Sequence, residues 1–224
     1  MNITYYGHSA FLLDDGTTKL IIDPFLEGNP LAPVKPGSVK VQYVVVTHGH
    51  GDHLGDAIPI AMRCNATIVA VNELANYVAD KGAKAHNMHI GGGHDFPFGR
   101  IKFTIAHHGS VSPDGVYTGN PAGALVTIGG KTVYHTGDTG LFYDMKLIGE
   151  MNPVDVMLVP IGDNYTMGID DAVKAVELVH PKFVIPMHYN TFPMIKADPE
   201  LFIRKVSAKG FKGKVLKAGE TYTV

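Results

Sequence analysis

Thr47-His48-Gly49-His50-Gly51-Asp52-His53 is the stretch on which the reading of this chain turns. Four metal-capable side chains fall between positions 48 and 53. The apolar run VQYVVV (41–46), of strand size, leads into them, and residues 54–63 read as a helix leading out. On a regular strand His48, His50 and Asp52 would project from one face. Gly49 and Gly51 permit a tight, irregular loop, so Asp52 and His53 can turn toward a second point. One ion could take the alternating histidines and a neighbouring ion the Asp-His pair. A solvated histidine loop with a helix-capping Asp is the plainer alternative, and ligands packed this densely argue against it.

Working outward, residues 3–13 and 18–23 predict two strands joined by a turn at Asp14-Asp15-Gly16. Strand-like runs follow at 67–70, 101–107, 123–128, 131–135, 154–160 and 183–188, with a Gly129-Gly130 hairpin signal. Helical patterns cover 72–81, 140–150, 169–179 and 198–208. Asp170 and Asp171 suit the first turn of the third of these, where they complement the helix dipole. Residues 86–99 read as turn-rich and 214–224 as a closing hairpin. Each half of the chain therefore runs from hairpins into strand-helix units, a pattern that fits two sheets packed face to face with helices outside.

Composition narrows the function classes. A chain of 224 residues suits one domain spanning 1–224. With a formal net charge of -2 and no basic block, it offers no footprint for nucleic acid and no patch for a membrane surface. No apolar run approaches the ~18 residues needed to span a bilayer. The N-terminus lacks the basic start and apolar core of a secretory leader, so a cytoplasmic location is expected. Cys64 is the single cysteine, which excludes an internal disulfide and a cysteine-based metal site. Histidine, the commonest metal ligand, is abundant at 12 residues.

The run THGHGDH resembles the HxHxDH signature of the metallo-β-lactamase superfamily, with every ligand position filled. Later motifs agree in order: AHHGS around 107–108, YHTGDTG around 138, and IPMHYNTFP around 188. GHSAFLL, DPFL, MHIGG and PIGDNYTMG further resemble a branch of metal-dependent hydrolases similar to the lactonase that opens ascorbate 6-phosphate. The resemblance covers roughly residues 1–190. It implies an α+β fold, a four-layer αββα sandwich, with the site on loops at one edge. It implies two divalent ions, the first held by His48 and His50, the second by Asp52, His53 and His188, with Asp138 bridging and His108 a further ligand. His108 is preferred to His107 because Gly109 follows it, as a small residue follows the ligand in the family. An all-nitrogen-and-oxygen donor set suits zinc, with manganese or iron admissible.

Other residues are candidates for support or substrate contact. His8 sits in a strand turn; Asp23 opens DPFL and is placed to orient a ligand histidine. Asp163 and Asn164 follow the strand at 154–160, while Tyr189 and Asn190 follow His188. His86, His89 and His94 read as loop-packing residues. The expected activity is hydrolysis of a small-molecule lactone, phosphodiester or ester, with Asp52 or Asp138 moving the proton. Two alternatives remain at this level: a di-iron redox protein, and a metal-binding chain without turnover. Self-association is compatible with the family resemblance, although no sequence feature sets its stoichiometry.

Overall fold

A computed structural model describes residues 1–224. The first half runs β1 (Asn2–Tyr5), β2 (Phe11–Asp14), β3 (Lys19–Ile22), β4 (Tyr43–Val45), α1 (Gly51–Leu54), α2 (Ala57–Cys64), β5 (Thr67–Val71), α3 (Asn72–Asp80) and β6 (Lys84–Met88). The second runs β7 (Gly93–Phe96), β8 (Gly99–Ile105), β9 (Ala122–Ile128), β10 (Lys131–His135), α4 (Met145–Met151), β11 (Val156–Pro160), α5 (Ile169–Val179), β12 (Phe183–Met187), α6 (Pro199–Ala208) and β13 (Thr221–Thr223). One sheet has the order β13-β1-β2-β3-β4-β5-β6, the other β12-β11-β10-β9-β8-β7. Each is antiparallel in its hairpin part and parallel from β3 to β6 or from β10 to β12.

Alternation along the strands builds the layers. In the second sheet Val126, Val133, Val156 and Leu158 join the core shared with the first sheet. Their neighbours Leu125, Tyr134, Met157 and Val159 face a separate core with Val173, Val176, Phe202 and Val206 of α5 and α6. Adjacent strand residues point to opposite faces, so a strand covered on both sides must be apolar throughout. Helices α2 and α3 cover the first sheet in the same way, giving the four-layer αββα sandwich. No helix is long and apolar enough to cross a membrane.

Several local expectations change. Residues 3–13 are not one strand. The chain breaks between β1 and β2, and His8, with φ 56°, leaves the sheet so that its carbonyl accepts from the His188 amide at 2.9 Å. The helix expected over 54–63 is split at Gly55, where an added Cβ would stand 2.7 Å from the Pro24 carbonyl oxygen and the Phe25 Cα. The segment expected to be helical from 140 starts at Met145, because the Gly140 amide is engaged by the His107 carbonyl. The turn-rich stretch 86–99 contains β7 and the end of β6, the outer strands of the two sheets. No hairpin forms over 214–224: β13 alone is a strand, and it pairs with β1 through Ile3 and Tyr222.

Strands β3, β4, β8, β10, β11 and β12 deliver their C-terminal ends to one edge of the sandwich. Asp23, His48, His108, Asp138, Asp163 and His188 follow them. An open sheet typically exposes its ligand-facing loops at such an edge.

Candidate metal centre

The signature loop leaves β4 and enters α1. His48 is buried at the strand end, while Asp52 and His53 lie in the first turn of the helix. Gly49 is required for contact rather than for its dihedral angles: an added Cβ would meet Thr118 Oγ1 at 2.1 Å. Its amide donates to Ser110 Oγ at 3.0 Å, and Ser110 and Thr118 share a 2.6 Å hydrogen bond. The loop after β8 is thereby clamped onto the signature loop.

Ligand-capable atoms fall into three overlapping groups, each within 4.8 Å: His48, His50 and His108; His48, His53 and Asp138; and His8, Asp52, His53 and His188. Asp138 joins them, with Oδ2 at 3.2 Å from His53 Nε2, 3.0 Å from His188 Nε2 and 3.6 Å from His108 Nε2. His48 Nε2 lies 3.1 Å from His50 Nδ1. The structure therefore brings His48, His50, Asp52, His53, His108, Asp138 and His188 together. His107 is turned away: it is exposed, and its ring lies against Phe142 with centroids 5.0 Å apart.

Asp23 organises the histidines from behind. It is fully buried and accepts three hydrogen bonds, from Thr47 N at 2.8 Å, Thr47 Oγ1 at 2.6 Å and His53 Nδ1 at 2.7 Å. The first consequence is that His53 Nδ1 carries a proton, which leaves Nε2, facing the cluster, as the nitrogen able to bind a metal. The second passes through Thr47. Its one hydroxyl proton goes to the carboxylate, so the 3.0 Å contact with His48 Nδ1 must be donated by the imidazole. One carboxylate thus selects the tautomer of two histidines.

His8 performs a similar task for Asp52. It is completely buried, with Nε2 at 3.0 Å from Asp52 Oδ2 and Nδ1 at 2.9 Å from Thr191 Oγ1. Burial holds its pKa down to about 4 despite the Asp52 hydrogen bond. A neutral ring that accepts from the Thr191 hydroxyl donates from Nε2, which fixes one oxygen of Asp52.

The cluster's charges are strongly coupled. Burial alone would neutralise Asp138, but the His188 and His53 cations hold its carboxyl well below the usual range. Burial also works against a charged His53, yet Asp138, Asp23 and Asp52 raise it well above the ordinary imidazole value. His188 shows the same balance: burial opposes its charge, and Asp138 with Asp52 lifts its pKa to about 9. His48 and His108 are pushed down by burial. Without metal, two imidazolium protons stand where a cation would otherwise compensate the carboxylates.

The remaining sequence candidates do not join the cluster through hydrogen bonds. Asp163 and Asn164 are exposed on the loop after β11, and the Asp163 carboxylate accepts from the Asn164 amide at 2.8 Å. Tyr189 was expected to contact substrate; instead the residue is 7% exposed and belongs to the core beneath α5 and α6. Asn190 closes its own loop, donating to the Ala197 carbonyl and accepting from the Ala197 amide, both at 3.0 Å.

The model of the β-lactamase superfamily domain matches residues 18–189, including the signature loop, Asp138 and His188. This chain belongs to the metallo-β-lactamase superfamily. Within that superfamily it lies among the metal-dependent hydrolases. It is 53% identical over 222 residues to the UPF0173 metal-dependent hydrolase of Carboxydothermus hydrogenoformans, covering 98% of each chain. Igni18, a metallo hydrolase from the archaeon Ignicoccus hospitalis, superposes with a TM-score of 0.91 at 40% identity, over 100% of this chain and 98% of that one. An isothiocyanate hydrolase from Delia radicum gut bacteria shares the fold, with a TM-score of 0.80 at 20% identity over 100% and 99% of the two chains.

The superfamily implies metal, and the residues present fit it. His53 Nε2, His188 Nε2 and Asp138 Oδ1 are buried with no hydrogen-bond partner. Each such group costs about 1–3 kcal/mol when left unsatisfied, and a cation at their meeting point would satisfy all three. Donors are imidazole nitrogens and carboxylate oxygens, the borderline set that divalent transition metals accept. Sequence patterning had not singled out Thr47, Thr191 or His135. His135 makes two hydrogen bonds, with Ser9 O at 3.0 Å and with the Gly137 amide at 3.1 Å, and so has no free nitrogen. For Thr47 the available signal was its place directly before His48, at the end of a buried strand.

Proposed function

We propose that the chain hydrolyses a small-molecule lactone, phosphodiester or ester with two divalent ions in this site. Zinc is favoured by the donor set, and manganese or iron is also compatible. The observation that carries the reading is the position of Asp138, whose Oδ2 lies within 3.6 Å of histidines from both ligand groups while Oδ1 has no partner. His48, His50 and His108 would hold one ion, Asp52, His53 and His188 the other, and Asp138 both. Bound there, the ions would lower the pKa of an attacking water and polarise the scissile carbonyl or phosphoryl oxygen.

The protein's own groups supply orientation and proton transfer. Asp23 and Thr47 hold His53 and His48 with their Nε2 lone pairs toward the cluster. Asp52 is the better placed of the two carboxylates to move a proton: its side chain is 28% exposed against 3% for Asp138. Burial favours its neutral form, but the His53 charge, the His188 imidazole 3.7 Å away and the His8 hydrogen bond keep it ionised. With Oδ2 tied to His8, Oδ1 is left to accept a proton from the attacking water and pass it to the leaving group. The reading requires one domain and no partner chain, nucleic acid or membrane.

Elemental analysis of the purified protein beside Asp138→Ala tests this. Two equivalents of zinc or manganese per chain, reduced in the variant together with lactone or diester hydrolysis, are expected. Two equivalents of iron with no hydrolysis would transfer the site to redox chemistry. Full metal content and full activity in Asp138→Ala would refute the bridging role.

A further inference from the structure

The loops that carry the cluster are poor in cations and rich in apolar side chains. Segments 106–121, 136–144 and 161–168 contain no lysine or arginine. Those after β3 and β12 contribute Lys35, Lys40 and Lys196. Lys35 pairs with Glu27 at 3.4 Å, and Lys40 sits just before β4, at the end of that strand opposite His48. Lys196 shares its pocket with Asp163, Asp170, Asp171 and Asp198. Lys81, which reaches the loop after β8 from α3, is held by Asp114 at 2.9 Å.

Helix N-termini at this edge offer an anion no better reception. Asp170 and Asp171 occupy the first turn of α5, Glu73 that of α3, and the Asp198 carboxylate caps α6 by accepting from Glu200 N and Leu201 N. A phosphate bound at a helix terminus needs those dipoles and amides free.

Apolar groups take the places that cations leave empty. Phe25 and Phe192 flank His8, with ring centroids 5.8 and 5.5 Å from it, and lie 6.3 Å from each other. On the loop after β8, Val111 and Tyr117 pair across a small flap that Ser110 and Thr118 clamp to the signature loop, and both are exposed. Tyr165 and Met194, also exposed, ride on the loops after β11 and β12.

From this distribution we infer that the part of the substrate beyond the scissile bond is uncharged and apolar, an alkyl or aryl body rather than a phosphorylated one. The inference rests on the proposed metal-dependent hydrolysis and adds a substrate class to it. A phosphorylated tail would meet no lysine or arginine on the loops after β8, β10 and β11, and Lys196 on the loop after β12 lies among four aspartates. An apolar tail gains from covering Phe25, Phe192 and the flap, and burying a methylene fully is worth about a fourfold gain in affinity.

The test uses zinc-loaded protein and a hydroxamate series, because a hydroxamate reports on the tail without turnover. Acetohydroxamate through octanohydroxamate are titrated by calorimetry, beside a phosphate-terminated hydroxamate matched in length to the hexano member. Affinity is expected to rise about two- to fourfold per methylene, with the phosphate-terminated probe weaker than its methyl-terminated match. In Met194→Lys, an exposed position outside the cluster, the phosphate-terminated probe should gain about two- to fivefold, the range of an exposed ion pair, while acetohydroxamate is unchanged. Hydroxamate affinity independent of tail length, or a phosphate-terminated probe that binds as well as or better than the alkyl one, overturns the inference and leaves the hydrolase reading standing. Failure to take up metal, with no hydroxamate bound, overturns both.

Discussion

Asp23→Asn isolates the group on which the tautomers of two histidines depend. The substitution keeps the shape of the side chain but removes its charge and replaces one acceptor oxygen by an NH2 donor. The three donors now facing Asp23 lie at 2.6, 2.7 and 2.8 Å. An amide oxygen can serve at most two of them, so at least one buried donor meets another donor. Losing a hydrogen bond to a buried charged acceptor costs about 1.5–3 kcal/mol. Because the melting temperature of a domain this size falls by about 2–4 °C per kcal/mol, a decrease on the order of 3–12 °C is expected. Metal affinity should fall by about 10–100-fold, the usual cost of losing a group that orients a ligand histidine. At tenfold per 1.4 kcal/mol this is about 1.4–2.8 kcal/mol. Chelator competition on the folded variant, beside a thermal melt, measures both effects. A folded Asp23→Asn protein whose zinc affinity stays within twofold of the parent would refute the tautomer argument. An unchanged melting temperature would refute the count of unsatisfied donors.

Three further outcomes follow from geometry already described. Gly49→Ala drives a methyl into Thr118 Oγ1 at 2.1 Å, and overpacking of this kind should cost about 1–3 kcal/mol; a melt checks it, and Thr118→Ala should restore part of the loss. Asp198→Ala removes the cap that accepts from Glu200 N at 3.0 Å and Leu201 N at 3.1 Å, so α6 should lose about 1 kcal/mol by denaturant titration with metal content unchanged. In metal-free protein His188 has its pKa raised to about 9 from an ordinary 6.5, so its protonation stabilises the fold fully below pH 6.5 and that contribution is lost as pH rises through 9. Melting temperatures of chelator-treated protein should show this decline across that window. Metal-loaded protein should not, because metal uptake displaces the proton; identical profiles would contradict the assignment.

Much of the architecture was legible in the sequence because buried strands are apolar throughout and end abruptly in polar residues. VVV before Thr47 and VIPM before His188 mark both the strand and the edge at which it stops. The four positions of the signature loop were legible from their density at a strand end, whereas the part of His108, Asp138 and His188 was implied by the resemblance of their motifs to those of the metallo-β-lactamase superfamily. What escaped depends on contacts between distant segments. His8 leaves its sheet because its carbonyl accepts from the His188 amide, a partner far along the chain. Tyr189 directly follows a cluster histidine, yet the positive φ of 55° at His188 turns the chain so that the tyrosine enters the helix-side core. Asn190 has polar chemistry suited to a ligand, but it spends that chemistry on the backbone of Ala197. Propensity cannot report such pairings, because the partners are chosen by the packed sheets.

The cluster is divided between the two sheets. His48, His50, Asp52 and His53 follow β4, whereas His108, Asp138 and His188 follow strands of the second sheet. Any cation held by both sets is also a clasp across the sandwich, binding the closed form and not the parted one. Stripping it should loosen the seam between the sheets before it disturbs hydrogen bonding within either. Amide exchange after chelation would then quicken first in the loops that meet at this edge, while the central strands β4 and β10 stay protected. The chain would in this way use its reaction centre as a fastening, and its durability would follow the metal supply around it.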